Sequence, residues 1–413
     1  MKPDFVPGLA FALALGAITL IAPLAIHLFL PAMPEVKAEF AASSALVQLT
    51  FSVTLTTMAI VTPAYGTLSD RLGRRPVLIT GLLLFVAGSF LSAIAPTLLA
   101  LILGRIVQAA GAGCALTLTR AIARDAYGAD ALVKAIAYLT VAYTMGPMLA
   151  PPFGGALIDT FGWRSICWFA LAAGVLITAT AWFVIRETRS SAERNSHAVG
   201  LAAAYGALCR NASFVAFVLH SGFMSFTFFA LAGASPFLMQ DVLHRSATEY
   251  GLFFMLFPVG LCIGNIASSR LSGRVSIERM VLFGSLVSAT ATAVQFVLIF
   301  TGHLSPATIF LPGTLITFGQ GLALPNAQAG AIRVQPALAG TAAGIGVFFQ
   351  LLLSAVSTEL YGLLADGTPI PMIGLSLLGS VLAIVTATSL FVAPGARSRS
   401  SAVQPRAKPV GEV

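Results

Sequence analysis

The chain has 413 residues, of which 57% are hydrophobic and only 9% are charged, and its net charge is +8. Soluble proteins carry about 25% charged residues, so this composition, with a mean hydropathy of +0.92, excludes a soluble globular protein. The basic residues stand in short connections between long apolar runs, and no aromatic-rich polar face accompanies them. This pattern argues against a nucleic-acid-binding protein and for a membrane protein whose loops set its orientation.

Apolar segments of membrane length fill most of the chain. A helix needs about 20 apolar residues to cross the hydrocarbon core of a bilayer, and irregular backbone is not stable in lipid. We therefore predict an all-α membrane protein. Its twelve transmembrane helices are predicted at residues 8–30, 46–66, 77–95, 98–119, 132–157, 164–186, 212–236, 249–269, 280–300, 306–332, 339–364 and 371–393.

The longest interior polar segment divides these helices into two sets of six. We predict an N-terminal half at 1–186, a cytoplasmic central loop at 187–211, a C-terminal half at 212–393 and a disordered basic tail at 394–413. Basic, glycine-containing connections at 66–76 and 264–274 stand at equivalent places in the two halves. Duplicated halves are common in transporters, with the substrate site between them near the membrane midplane.

The positions of Lys and Arg predict the orientation. With the N-terminus inside, nearly all basic residues fall on the inner side, and only Lys37, Arg164 and Arg245 fall outside. The positive-inside rule then places both termini in the cytoplasm. The four cysteines show no metal-ligand spacing, so we expect no metal site.

Ionisable residues within predicted spans are the strongest candidates for function, because each is costly in lipid unless it is paired or hydrated. Arg105 must face polar partners or water, although an arginine reaching the outer interface is the alternative. His220 is better explained as a packing histidine. His27 could bind and release a proton, or donate to a carbonyl freed by Pro23.

Glu359 is the carboxylate that lies well inside an apolar run. It suits a proton carrier or a counter-charge for a cation, and the alternative is an acid of the outer interface close to Asp366. We predict proton coupling through Glu359, His27 and Arg105.

Two spans are interrupted by helix-breaking and polar residues. Residues 146–155 contain three prolines and three glycines, which bend a helix and allow close packing, so we predict a seam between the halves. A second broken segment lies at 318–328. The amide side chains either contact the substrate or bridge helices. The phenylalanines either line an apolar pocket or face lipid or core. The predicted substrate cavity consists of His27, Arg105, Gln108, Phe223, Phe226, Gln320, Asn326, Gln350 and Glu359.

At these residues the chain resembles the major facilitator superfamily over all twelve spans. The stretch containing Gly66, Asp70, Arg71, Gly73, Arg74 and Arg75 looks like the signature between spans two and three. Leu103, Arg105, Gln108 and Gly111 look like the span-four motif. The span-five motif of drug:proton antiporters is matched by Gly146, Pro147, Ala150, Pro151, Gly154 and Gly155. The segments at 30–34 and 325–326 resemble the bicyclomycin/chloramphenicol resistance (Bcr/CflA) branch.

The resemblance implies a role for each motif. Asp70 and Arg74 would lock the inner gate in the outward-facing state, and Arg105 would support proton coupling near span one. The span-five glycines and prolines would seal the halves and favour export over uptake. One position departs from the branch: its members carry an acid where this chain has His27, which inverts the local charge. Coupling would then lie at Glu359, or the stoichiometry or the charge of the substrate would differ.

We therefore expect a transporter, not an enzyme, that exports drugs or other small molecules across a bacterial inner membrane by alternating access in exchange for protons. Its expected partners are small lipophilic substrates that are neutral or weakly charged, protons and the lipid bilayer. We expect no cofactor beyond the proton gradient, no nucleic acid, and a monomer. A solute:proton symporter of the same superfamily is the first alternative, and a membrane-embedded enzyme or receptor is the second.

Overall fold

The computed structural model describes residues 8–188 and 201–392. All named secondary-structure elements in this part of the chain are helices. The α-helices are α1 (Leu9–Thr19), α2 (Ile21–His27), α3 (Met33–Glu39), α4 (Ser44–Leu72), α5 (Arg74–Ala93), α6 (Leu98–Phe161), α7 (Arg164–Val184), α8 (Leu201–Cys209), α9 (Ala212–Phe237), α10 (Ala247–Phe254), α11 (Leu256–Leu271), α12 (Ile277–Phe300), α13 (Pro306–Val334), α14 (Ala339–Leu364) and α15 (Ile370–Val392).

Eleven helical segments of the described residues are long and apolar enough to cross a membrane, by length and composition. The twelfth pass is the second leg of α6. A straight helix of its 64 residues would be about 96 Å long. Instead, α6 doubles back, since Leu116 and Thr119 line one small cavity with Leu139 and Tyr143. The predicted spans 98–119 and 132–157 are these two legs.

Several helices begin where the sequence places a capping residue. Ser43 accepts from the Leu46 amide at the start of α4, and Thr97 accepts from the Ala100 amide at the start of α6. Ser305 forms a capping box at the start of α13. These side chains satisfy amides that the helix itself leaves free, so local sequence sets the ends of the connections.

Two predicted connections differ from the structure. The stretch at 66–76 was expected as a loop, but α4 continues to Leu72 and only Gly73 interrupts the helix before α5. Gly73 has a φ of 106°, which residues other than glycine rarely adopt. The chain therefore reverses direction between α4 and α5 at this single residue. The predicted central loop contains α8, whose Leu- and Ala-rich sequence favours helix. The predicted tail at 394–413 lies outside the described residues.

Contacts between helix termini identify the two ends of the bundle. At one end, here called the basic face, Arg74 contacts Asp125, and Glu187 contacts the first amides of α5. At the other end, the far face, Arg164 contacts Glu39. A membrane pass that starts at one face ends at the other, and the two legs of α6 count as two passes, which fixes the approximate depth of each residue in the bundle.

Candidate functional site

The site is centred on a hydrogen bond between the predicted halves. Ser52 of α4 donates its hydroxyl proton to Oε2 of Glu359 in α14, over 2.7 Å. Ser52 is buried and Glu359 is partly exposed. A carboxylate at this junction can accept from Ser52 when it is ionised and can itself donate when it is protonated. The protonation state of Glu359 therefore changes a bond that joins the halves.

The two helices approach closely one turn further toward the far face. A Cβ added at Gly362 of α14 would lie 2.7 Å from Cβ of Gln48 in α4. Gln48 is fully buried and donates its amide to the carbonyl of Gly233 in α9 over 2.8 Å. Its Oε1 has no partner among the described residues. A buried amide oxygen without a partner is costly, so Gln48 leaves an unsatisfied acceptor where the halves meet.

Sequence reasoning missed Gln48 and Ser52. Their spacing of four places them on one face of α4, which is the signal that was available. Serine and glutamine near the end of a span are common enough that this signal is weak. The contact with Glu359 depends on α14, 307 residues away along the chain.

His27 lies at the end of α2, where the first pass is broken, and its side chain is buried. Its ring packs against Phe254 of α10, with ring centroids 5.9 Å apart. Nδ1 has no hydrogen-bond partner among the described residues. The expected bond to a carbonyl freed by Pro23 is therefore not seen at Nδ1, and His27 meets the other half of the bundle through an aromatic contact.

Arg105 is buried in the first leg of α6 and reaches the same break in the first pass. Its Nη2 donates to the carbonyl of Ala25 over 2.7 Å, and its guanidinium lies 4.4 Å from the Phe29 ring centroid. Ala25 is in the last turn of α2, where carbonyls are free and the helix dipole favours a cation. The interior contacts exclude the alternative of an arginine at the interface.

The structure places the three predicted coupling residues in three separate contacts. Arg105 binds the backbone of α2, His27 packs on α10, and Glu359 bonds to α4. None of these contacts joins one coupling residue to another.

The predicted cavity amides point mostly into their own halves. Gln108 donates to Ser89 over 2.8 Å, and it also accepts from Arg105. Gln320 donates to the Met224 carbonyl. These bonds join neighbouring helices within one half, which is the bridging alternative named above.

The remaining cavity candidates divide in the same way. Asn326 donates to Ser268 over 2.7 Å, between α13 and α11. Phe226 is buried against α15, and Phe223 packs beside Met224. Gln350, in contrast, lies 3.5 Å from Gln328 at an exposed position. This bond also lies within one half. Of the predicted cavity residues, His27 and Glu359 are the ones whose contacts described here join the two halves.

The gating motif is an ion-pair cluster at the basic face. Arg74 is buried, and its guanidinium contacts Asp70 at 2.9 Å and Asp125 at 3.0 Å. Glu187 accepts from the amides of Arg74 and Arg75 and so caps α5. Asp125 and Glu187 are partners that the sequence did not identify. The ion pairs lie within the first half, and Glu187 is the first residue of the predicted central loop.

The remaining motif residues surround this cluster. The Arg75 guanidinium stacks 5.3 Å from the Trp182 ring and donates to the Trp182 carbonyl. Arg71 is exposed. Gly66 approaches Thr117 of α6, since an added Cβ would lie 3.6 Å from its methyl group.

The two faces differ in how closely the halves pack. At the basic-face end of α14, a Cβ added at Gly340, Gly344 or Gly346 would have no described atom within 4 Å. At the far face, Lys37 pairs with Asp241 at 3.1 Å, across the halves. The hydrogen bonds and ion pair that join the halves in the described part of the chain thus lie toward the far face.

The span-five motif forms part of the closed end. A Cβ added at Gly155 would overlap the carbonyl of Ala247 in α10, and one added at Gly251 would overlap the carbonyl of Pro151. Gly146 packs in the same way on Pro23 of the first pass. The motif glycines thus let the second leg of α6 contact both the first pass and α10.

Comparisons with known proteins agree with this architecture. Residues 15–358 match the family described as Major Facilitator Superfamily. An uncharacterized MFS-type transporter of Bacillus subtilis, YdgK, is 28% identical over 368 residues, which cover 88% of this chain and 91% of that protein. The multidrug resistance protein MdtL of Escherichia coli is 26% identical over 385 residues, covering 93% and 96%.

Solved structures show the same fold. A bacterial homologue of the human lysosomal transporter Spinster, in an inward-facing and occupied conformation, matches with a TM-score of 0.72 at 16% identity, covering 92% of this chain and 96% of that one. The human organic anion transporter MFSD10 matches with a TM-score of 0.69 at 20% identity, covering 94% and 100%. These similarities concern the fold alone.

Proposed function

The chain belongs to the Major Facilitator Superfamily, and from this premise we propose that it exports small lipophilic molecules in exchange for protons. The observation that carries the proposal is the bond between Ser52 and Glu359. It places a titratable group where one half of the transporter meets the other. A proton that binds there changes the relative stability of the two conformations, and such a bias is what couples an ion gradient to transport.

The basic residues support an orientation with both termini in the cytoplasm of a bacterium. Arg71, Arg74 and Arg75 lie at the basic face, whereas Lys37 and Arg164 lie at the far face. The excess of positive charge then makes the basic face cytoplasmic. In this orientation the bonds between the halves lie toward the outer side, which supports an inward-facing conformation.

The proposed direction is export. The span-five motif packs the second leg of α6 against α10, and this motif marks drug:proton antiporters in the resemblance described above. The similarity to a multidrug resistance protein at 26% identity also favours export. The proposed Bcr/CflA branch rests on the segments at 30–34 and 325–326.

The proposed substrates are neutral or weakly charged lipophiles. Lys37 and Asp241 pair with each other at the far face. Deeper in the described spans, Glu359 lies at the junction of the halves, and Arg105 and His27 are buried. Arg105 is occupied by the backbone of α2, so Glu359 is the available charge. A site with one available charge suits substrates of low charge, since an unpaired ion is costly at membrane depth.

The second candidate is proton-coupled uptake by the same alternating mechanism. The Ser52–Glu359 bond is compatible with either direction, so a vesicle experiment must separate them. A drug-susceptibility panel in an efflux-deficient bacterial host would first identify transported compounds. Inside-out vesicles that carry the protein should then accumulate such a compound when respiration acidifies their interior. Accumulation only in right-side-out vesicles would establish uptake and overturn the proposed export.

A further inference from the structure

A carboxylate of the first half caps a helix of the second half at the far face. Asp159 stands two residues before the end of α6, and its Oδ1 accepts from the Ala247 amide over 3.1 Å. Its Oδ2 accepts from the Thr248 amide over 2.8 Å. Ala247 and Thr248 are the first two residues of α10. Both carboxylate oxygens are thus bound to one helix N-terminus.

The amides at that terminus have no partner within their own helix, because the first turn of a helix leaves its N–H groups free. Ser246 supplies a local cap and accepts from the Glu249 amide over 3.1 Å. The Ala247 and Thr248 amides instead take their acceptor from α6. The N-terminal cap of α10 is therefore shared between the two halves.

The neighbouring glycines make this contact possible. An added Cβ at Gly155 would overlap the Ala247 carbonyl, so the backbones of α6 and α10 touch one turn before Asp159. The short side chain of aspartate then reaches the helix terminus directly. A negative charge is favoured there by the helix dipole.

The side chain of Asp159 is in the ionised form, which accepts both hydrogen bonds. Partial desolvation acts to raise the pKa of Asp159, but hydrogen bonds from Thr248 and Ala247 outweigh it and hold the pKa below its ordinary value. Asp159 is therefore ionised at neutral pH and accepts both bonds.

We propose that Asp159 is a latch that stabilises the far face of the transporter in its closed conformation. The bonds to Ala247 and Thr248 exist only while α6 and α10 are in contact. Opening the far face must break both bonds and leave two amides of α10 without this acceptor. The latch does not depend on which compound is transported or on proton coupling.

The latch acts beside other contacts between the halves at the same face. Lys37 pairs with Asp241, and Gln240 donates to the Pro31 carbonyl over 3.0 Å. Both Lys37 and Asp241 are more than a third exposed, so their pair contributes little. Losing Asp159 is therefore expected to shift the conformational equilibrium without abolishing closure.

The test measures the distance between the halves at the far face. Spin labels at cysteines introduced by Ala38→Cys and Thr301→Cys, which are exposed positions in different halves, report opening by pulsed electron paramagnetic resonance. The four native cysteines are replaced by alanine, and the full chain is reconstituted in lipid nanodiscs without substrate. In Asp159→Ala, the ratio of open to closed molecules should rise about 25-fold, because two hydrogen bonds are lost and each is worth a factor of about five in an equilibrium.

A matched control separates the latch from the loss of a helix cap. Ser276→Ala removes a cap that the second half supplies to its own helix α12, and it should leave the distance distribution as in the parent. Ser246 does not serve, because its side chain also hydrogen-bonds Asp159. Asp159→Asn keeps the shape but offers one oxygen to two amides, so it should shift the ratio in the same direction. It also serves if Asp159→Ala fails to fold. An unchanged distribution in the Asp159 variants, or an equal shift in Ser276→Ala, would overturn the latch.

Discussion

The hydroxyl of Ser52 donates to the carboxylate of Glu359 over 2.7 Å, although the two residues belong to different halves of the transporter. In alternating access the halves move relative to each other around a central site. A bond between them at a titratable group is therefore where proton binding and conformation can influence each other. Five predictions test this relationship and the contacts around it.

Replacing Glu359 by Gln should abolish pH-driven efflux, because the amide keeps the size of the side chain but cannot exchange a proton. Glu359→Asp, which retains the carboxyl group, should keep a measurable fraction of coupling. The measurement is substrate efflux from proteoliposomes under an imposed pH gradient, with the same substrate equilibrating without a gradient as the control. Full pH-driven efflux in Glu359→Gln would remove Glu359 from the coupling mechanism.

Ser52→Ala should weaken coupling without abolishing it. A net hydrogen bond is worth about 1 kcal/mol, which corresponds to a factor of about five in an equilibrium. We therefore expect the pH dependence of efflux to shift while the maximal rate is largely kept. Thr54 hydrogen-bonds within its own helix, so Thr54→Ala is the matched control and should leave the pH profile unchanged. A Ser52→Ala profile that coincides with the parent would show that the bond has no part in coupling.

Substitutions at His27 can distinguish a role in carrying the proton from a role in packing. If His27 carries the proton, His27→Asp should preserve exchange better than His27→Ala, because the acid retains a titratable group. If it serves mainly to pack on Phe254, His27→Phe should retain the activity. Proton flux and substrate flux are measured together in proteoliposomes. Equal activity in His27→Asp and His27→Ala would remove the coupling role.

Asp70→Asn should slow transport while the protein still inserts into the membrane. Asp70 pairs with the buried Arg74, and Asp125 is the second partner of the same guanidinium. Neutralising one acid weakens the cluster while the other still compensates the charge. Insertion is checked by the amount of monodisperse protein after extraction, and turnover by efflux. Wild-type turnover in Asp70→Asn would rule out a gate at this motif.

The seam between α6 and α10 should be intolerant of even a methyl group. Gly155→Ala places a Cβ onto the Ala247 carbonyl and should disfavour closure of the far face, which lowers transport. Gly346→Ala is the control, because its Cβ would have no described neighbour within 4 Å. Thermal unfolding and efflux are compared for both. Equal effects of the two substitutions would show that glycine at 155 is not needed for packing.

The sequence predicted the class of protein and its family. Long apolar runs can be stable in lipid only as helices, so the all-helical fold and the twelve passes followed from segment length, and the motifs indicated the superfamily. These predictions are confirmed, and the Bcr/CflA branch stays a prediction. The placement of Arg105 near the first pass also agrees with the resemblance.

The partners of the polar side chains did not follow from the sequence. Gln320 and Asn326 appeared equally suited to line a cavity or to bridge helices, and the structure shows them bonded within one half. Which face of a helix meets which neighbour depends on how all the passes pack. A periodic pattern identifies a polar face but cannot identify the helix opposite.

The sequence by itself determined where this chain crosses the membrane, because hydrophobic length and charge act locally along the chain. Only the tertiary structure decided that Ser52 meets Glu359 and that Asp159 caps α10. These contacts join residues 307 and 88 positions apart. Short-range hydrogen bonds between helices arise from the packing of the whole bundle. Packing therefore determines where the Ser52–Glu359 bond and the Asp159 latch lie.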